Sequence, residues 1–129
     1  MRAALLVLAL ALPARAEPPI GADAFEAHVT GKTLAYRQSD SVFGVEEYLP
    51  GRKVRWSTAP DECLEGTWYP QGEAICFLYA YDPDPACWTF WLRGGALVAL
   101  STSGQPGDEL YEVGASDQPL PCPGPQVGV

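Results

Sequence analysis

From Gly31 onward the chain meets a turn signal about every ten residues. Ser39-Asp40-Ser41, Pro50-Gly51, Gln71-Gly72, Asp82-Pro83-Asp84-Pro85, Gly94-Gly95 and Gly104-Gln105-Pro106-Gly107 each gather residue types that tight turns demand. Such spacing leaves room for short strands and none for long helices. The intervening segments mix apolar and polar residues and read as strands: Thr33–Gln38, Val42–Leu49, Arg52–Ser57, Leu64–Tyr69, Ala74–Tyr81, Cys87–Arg93, Ala96–Ser101 and Glu109–Val113. Consecutive hairpins make a meander, and a meander of this length removes its exposed edges by curling on itself. The expected fold class is mainly β: an antiparallel meander of about seven or eight strands, curled into a partly or fully closed barrel, with one short N-terminal helix.

That helix falls in "IGADAFEAHVTGKTL". Phe25 and Val29 are four apart and share a face, with Ala22 near them, and Gly31 is a natural stop. At the other end, "GASDQPLPCPGPQVGV" is too rich in proline for a central strand. It is expected to run over the surface, held by Cys122.

The chain opens with "MRAALLVLALALPARAEPP". Arg2 precedes an apolar run from Ala3 to Leu12, and Ala14-Arg15-Ala16 places small residues where a signal peptidase reads. The run is too short to span a bilayer, which takes roughly 20 apolar residues. The expectation is a signal peptide over 1–16 and a single disulfide-linked β domain over 17–129, periplasmic or secreted, with no membrane insertion after cleavage.

Export sets the chemistry of the four cysteines, Cys63, Cys76, Cys87 and Cys122. An even count in a short exported chain reads as disulfides. Their wide spacing, without a Cys-x-x-Cys, does not suit zinc, and the one histidine, His28, is distant in sequence. The eight basic residues less Arg2 and Arg15 leave six against sixteen acidic ones, a net charge of −10 for 17–129. A domain this acidic repels nucleic acid and attracts a basic partner.

Register assigns the faces. If Tyr81 and Ala86 close the hairpin around Asp82–Pro85, then Phe77 faces Phe90, Tyr79 faces Trp88 and Ile75 faces Leu92, all on one side. A Gln71-Gly72 turn puts Cys63 opposite Ala80 and Thr67 opposite Cys76, and adds Trp68 to the aromatic side. Trp68, Ile75, Phe77, Tyr79, Trp88 and Phe90 then fill a small barrel or form an apolar ligand face. Three cysteines share the opposite side. This register sets Cys63 and Cys87 on either side of Ala80, roughly 10 Å apart, so they can bond only if Cys63 sits in a loop that folds over; of the three pairings four cysteines allow, Cys63–Cys87 with Cys76–Cys122 is the one preferred. A Pro50-Gly51 turn sets Arg55 opposite Glu46 and Lys53 opposite Tyr48, which reads as a cross-strand ion pair.

Catalytic patterns are missing from the sequence. His28 has no carboxylate at an evident catalytic spacing on its helix, and no Gly-x-Ser-x-Gly elbow occurs. Asp82 and Asp84 offer too few oxygens for a calcium loop. Asp61, Glu62 and Glu65 read as solvated charges. No catalytic residue, metal site or cofactor is expected.

The string "CLEGTWYPQGEAICFLYAYDPDPACWTF", Cys63 to Phe90, resembles small exported alphaproteobacterial proteins of unknown function. In these a Gly-Thr-Trp, an Ile-Cys-Phe and a Cys-Trp recur in this order. "GKTLAYRQ" and "PCPGPQVGV" fit the same resemblance, which covers most of 17–129 and implies no activity. The function expected is that of an exported, non-enzymatic binding protein. It is either a carrier with an aromatic pocket for a small apolar ligand, or an inhibitor or interaction module for a basic periplasmic or extracellular hydrolase.

Overall fold

A computed structural model of the chain describes residues 16–59 and 62–122. Residues 1–15 of the expected signal peptide, Asp61, and the end of the tail lie outside the described residues. One helix, α1 (Ala22–Val29), precedes eight strands: β1 (Thr33–Gln38), β2 (Ser41–Leu49), β3 (Lys53–Ala59), β4 (Glu62–Gln71), β5 (Ala74–Tyr79), β6 (Ala86–Arg93), β7 (Ala96–Ser101) and β8 (Leu110–Ser116). Each strand pairs antiparallel with the next, and β8 returns to β1, so the meander is a closed barrel. Closure leaves no free sheet edge, which answers the aggregation hazard of an open meander.

The helix plugs one end of the barrel. Phe25 and Val29, on its shared face, are fully buried. The Phe25 ring meets Trp68 edge-on at 5.0 Å, Tyr48 at 5.7 Å and Phe90 at 4.6 Å. Gly31 adopts φ +83, the left-handed conformation that an L side chain resists, and its N–H donates to the Tyr48 carbonyl at 2.8 Å. The chain thus leaves the helix directly into β1. Leu34, Val54, Ile75 and Leu97 complete this end of the core, each almost wholly buried.

Three hairpins depart from the expected register, and their loops say why. Between β4 and β5 the turn residues are Gly72 and Glu73, with Gln71 opposite Ala74, a shift of two. Between β5 and β6, Ile75 lies opposite Trp88, Cys76 opposite Cys87 and Phe77 opposite Ala86, a shift of four from the expected register. Here Ala80 donates to the Glu65 carbonyl on the β4 side, and Asp82 N–H turns back to the Tyr79 carbonyl. Tyr81 takes φ +70, and Pro83 and Pro85 have no N–H to give a ladder. The connection is therefore long, and β5 stays with β4. Even shifts preserve faces, so the aromatic set remains inside.

The disulfides do change. Cys76, directly opposite Cys87 with Cα atoms 4.0 Å apart, is bonded to it, and Cys63 is bonded to Cys122. The expected pairs Cys63–Cys87 and Cys76–Cys122 are corrected accordingly: four residues of slip turned distant cysteines into cross-strand neighbours. The tail runs outside the barrel. Thr33 Oγ1 donates to the Gln118 carbonyl, the Leu120 N–H reaches Glu47, and Cys122 is tied to β4.

The third departure is by one residue. The β2–β3 loop has three residues, Pro50-Gly51-Arg52, because Gly51 and Arg52 both adopt positive φ, +75 and +59. Arg55 therefore lies opposite Glu47, not Glu46, and Lys53 opposite Leu49, not Tyr48. An odd shift sends Arg55 to the outer face, where it lies 3.7 Å from Glu47 and 3.4 Å from Glu65. Glu46 stays inside without it.

Past Trp88, β6 has no register partner on β5. The segment before the helix covers this stretch: Ile20 N–H donates to the Phe90 carbonyl, Trp91 Nε1 donates to the Glu17 carbonyl, and Arg93 pairs with the Glu17 carboxylate.

Candidate functional site: a half-empty barrel

The interior is filled only at the helix end. Trp68 packs edge-on against Phe25 there, Ile75 belongs to the same buried cluster, and neither is among the residues that line the cavity beyond. Towards the other end the inward residues surround a cavity of about 250 Å³. Phe77 and Phe90 form its floor, above the helix. Tyr79, Trp56 and Trp88 form its walls, and Phe43 stands at its mouth. The expected aromatic face is thus divided: Trp68 and Ile75 are buried in the core cluster, while Phe77, Tyr79, Trp88 and Phe90 line the cavity.

Phe43 is placed by a β-bulge. Tyr36 pairs with Gly44 and Arg37 with Val42, so Phe43 is the extra residue on β2. A bulge re-aims the side chain it carries. The Phe43 ring lies 5.7 Å from Trp56 and 6.1 Å from Trp88, and is 38% exposed. Gly44 next to it leaves room for Trp56: a Cβ there would sit 2.3 Å from the indole ring.

Within this apolar wall lies a polar patch. Tyr79 Oη donates to Glu46 Oε1 at 2.8 Å, and the hydroxyls of Tyr36 and Tyr48 are joined at 2.7 Å. Glu46 is 1% exposed, and its Oε2 is buried with no hydrogen-bond partner. Burial pushes the Glu46 carboxyl well above the ordinary carboxylate range, against the opposing pull of the Tyr79 hydrogen bond. Burial likewise raises Tyr36, Tyr48 and Tyr79, with the nearby Glu46 adding to the shift. No lysine, arginine or histidine is among the described residues that line the cavity.

Sequence reasoning missed Glu46, Tyr36, Tyr48, Trp56 and Phe43. One signal was present: Glu46 and Glu47 are adjacent in a strand, and adjacent strand residues point to opposite faces. In a barrel one of the two must face in. The remaining singled-out residues lie elsewhere. His28 faces Glu112 of β8 at 2.7 Å, so its carboxylate partner comes from a strand, not from its own helix. Arg52 pairs with Glu26 at 3.2 Å and lies 4.6 Å over the Trp68 ring, bracing the helix against the barrel. Asp82 Oδ1 accepts from the Asp84 N–H, which makes it part of its own turn. No protein-family model, curated protein or solved structure matches the chain.

Proposed function

We propose that this is an exported, non-enzymatic binding protein that carries a small, largely apolar ligand in the open half of its barrel. The observation that carries the reading is the cavity of about 250 Å³, walled by aromatic side chains and holding one cluster of convergent polar groups. Drug-sized ligands occupy roughly 300–1,000 Å³ in proteins. The occupant here is smaller, on the scale of one ring with a short chain. Two disulfides suit an oxidising compartment outside the cytoplasm. Cleavage after Ala16 would start the chain at Glu17, which binds β6 and stays with the domain.

The test is direct binding. Trp56 and Trp88 line the cavity, so indole fluorescence should respond saturably to small neutral aromatics such as toluene or 2-phenylethanol. Ala86 lines the mouth and is exposed, so Ala86→Trp should block that response while leaving the thermal midpoint nearly unchanged. A folded wild-type protein that binds no member of a panel of small aromatics, neutral or charged, would defeat the carrier reading.

A second reading has one observation of its own. Tyr81 is 102% exposed at the tip of the β5–β6 connection, flanked by Asp82. An aromatic residue beside acidic ones is a fitting contact for a basic hydrolase, and the acidity of the domain would speed such an encounter.

A further inference from the structure

Glu46 is the one acidic residue among the described residues that line the cavity. The lone Oε2 is sealed from water and unpartnered, and Glu46 itself lines the cavity. A buried polar atom left without a partner is destabilising, so a ligand that supplies the partner recovers that loss. An anionic head group finds no basic side chain among the described lining residues and would face a carboxyl group. A purely apolar ligand leaves Oε2 as it was. A cation finds three things at once: a carboxylate, the faces of Trp56, Trp88 and Tyr79, and a protein whose negative charge concentrates cations nearby.

We propose that the cavity takes a small protonated amine with an aromatic or short aliphatic body, whose N–H donates to Glu46 Oε2 as a turn of the carboxyl brings that oxygen to the cavity surface, while the body lies against Phe43, Trp56 and Trp88. The inference rests on the carrier reading and narrows it. Once Glu46 is ionised, the orphan oxygen needs a hydrogen-bond donor, which selects an amine bearing N–H over a quaternary ammonium. In the free protein, burial favours the neutral Glu46 carboxyl. On binding, that carboxyl gives its proton to solvent, the ammonium keeps its own, and an ion pair remains. The titratable groups that face Glu46 are Tyr36 on β1, Tyr48 on β2 and Tyr79 on β5, all held neutral by burial.

The experiment compares three molecules of one shape: 2-phenylethylamine, 2-phenylethanol and phenylacetate. Titration of the wild-type protein by calorimetry and tryptophan fluorescence at neutral pH should rank the amine first and the carboxylate last. Glu46→Gln should weaken the amine by about tenfold or more, as loss of a charged hydrogen bond does, and should weaken the alcohol, which brings no charge, by less. In the wild type alone, which needs no variant to fold, amine affinity should rise as pH is raised from mildly acidic to neutral, because loss of the Glu46 proton is part of binding. The alcohol should show no such rise. If the alcohol binds as tightly as the amine, with both indifferent to pH, the amine inference falls and the carrier reading stands. If none of the three binds, and the neutral aromatics fail as well, both fall together.

Discussion

Removing the Phe25 ring should do more harm to this protein than removing almost any other side chain. The ring is fully buried and touches Tyr48, Trp68, Phe77 and Phe90, with centroids 4.6 to 6.3 Å away. Those four residues come from four different strands, so Phe25 holds the helix and half of the barrel wall together. Truncating a buried Phe to Ala commonly costs about 3–5 kcal/mol, against a total stability of roughly 5–15 kcal/mol for a domain. Here the space left behind abuts Phe77 and Phe90, which already border the cavity. It would open into that cavity and could not collapse from that side, which puts the cost towards the upper end of the range. For a domain near 100 residues, about 1 kcal/mol moves the thermal midpoint by about 4–8 °C, so Phe25→Ala should lower it by more than about 12 °C. Leu78→Ala is the control. Leu78 lies on the outer face and is 39% exposed, so its loss should cost about 1 kcal/mol or less. Urea and thermal unfolding, with both disulfides kept oxidised, measure the two side by side. A Phe25→Ala protein as stable as wild type would mean that the helix does not plug the barrel. Greater damage from Leu78→Ala would mean that the faces are exchanged.

Glu46 makes stability depend on pH with a definite sign. Its folded pKa lies above that of the unfolded chain, so between the two values the folded state holds more protons, and stability falls as pH rises through that window. Glu46→Gln should flatten this fall, seen as a smaller loss of thermal midpoint from about pH 5 upward; an unchanged slope would show that the carboxyl is not held neutral. Peptide mapping without reduction should recover Cys76 joined to Cys87 and Cys63 joined to Cys122, and a Cys63–Cys87 peptide would contradict the β5–β6 register. Gly44→Ala should destabilise by about 1–3 kcal/mol, as overpacking does, and should shift the emission of Trp56, because the new methyl group enters the space of that indole; a neutral substitution would show that the bulge at Phe43 has slack.

Much of the frame follows from local chemistry. Turn residues about every ten positions, short strands between them and one amphipathic helix stopped near Gly31 are short-range facts, and they lead to a β meander with a helical start. Gly94-Gly95 shows how local the information is: both residues take positive φ, and the β6–β7 hairpin pairs Arg93 with Ala96 as the dipeptide demands. Two disulfides among the four cysteines follow from their even count in a short chain expected to be exported. The inward aromatic face survives two mistaken registers because both errors were even, and strand faces alternate with period two.

Closure and pairing partners were decided in three dimensions. The Cys76–Cys87 bond depended on how far β5 follows β4 before releasing β6, a competition between two neighbouring strands that no local pattern encodes. The site depended on a single residue. Had the β2–β3 turn held two residues, Arg55 would lie opposite Glu46; with Arg52 as a third loop residue at φ +59, Arg55 goes outside and Glu46 stays in the barrel with an unpartnered oxygen. Whether the interior would be full was also a matter of assembly. Trp68 and Phe77 belong to the same face of one hairpin, yet Trp68 packs against the helix while Phe77 also borders the cavity, because α1 reaches only partway into the barrel. A sequence states which side chains turn inward. The volume they enclose is set by ring closure, strand stagger and the depth of the plug, which are properties of all eight strands together.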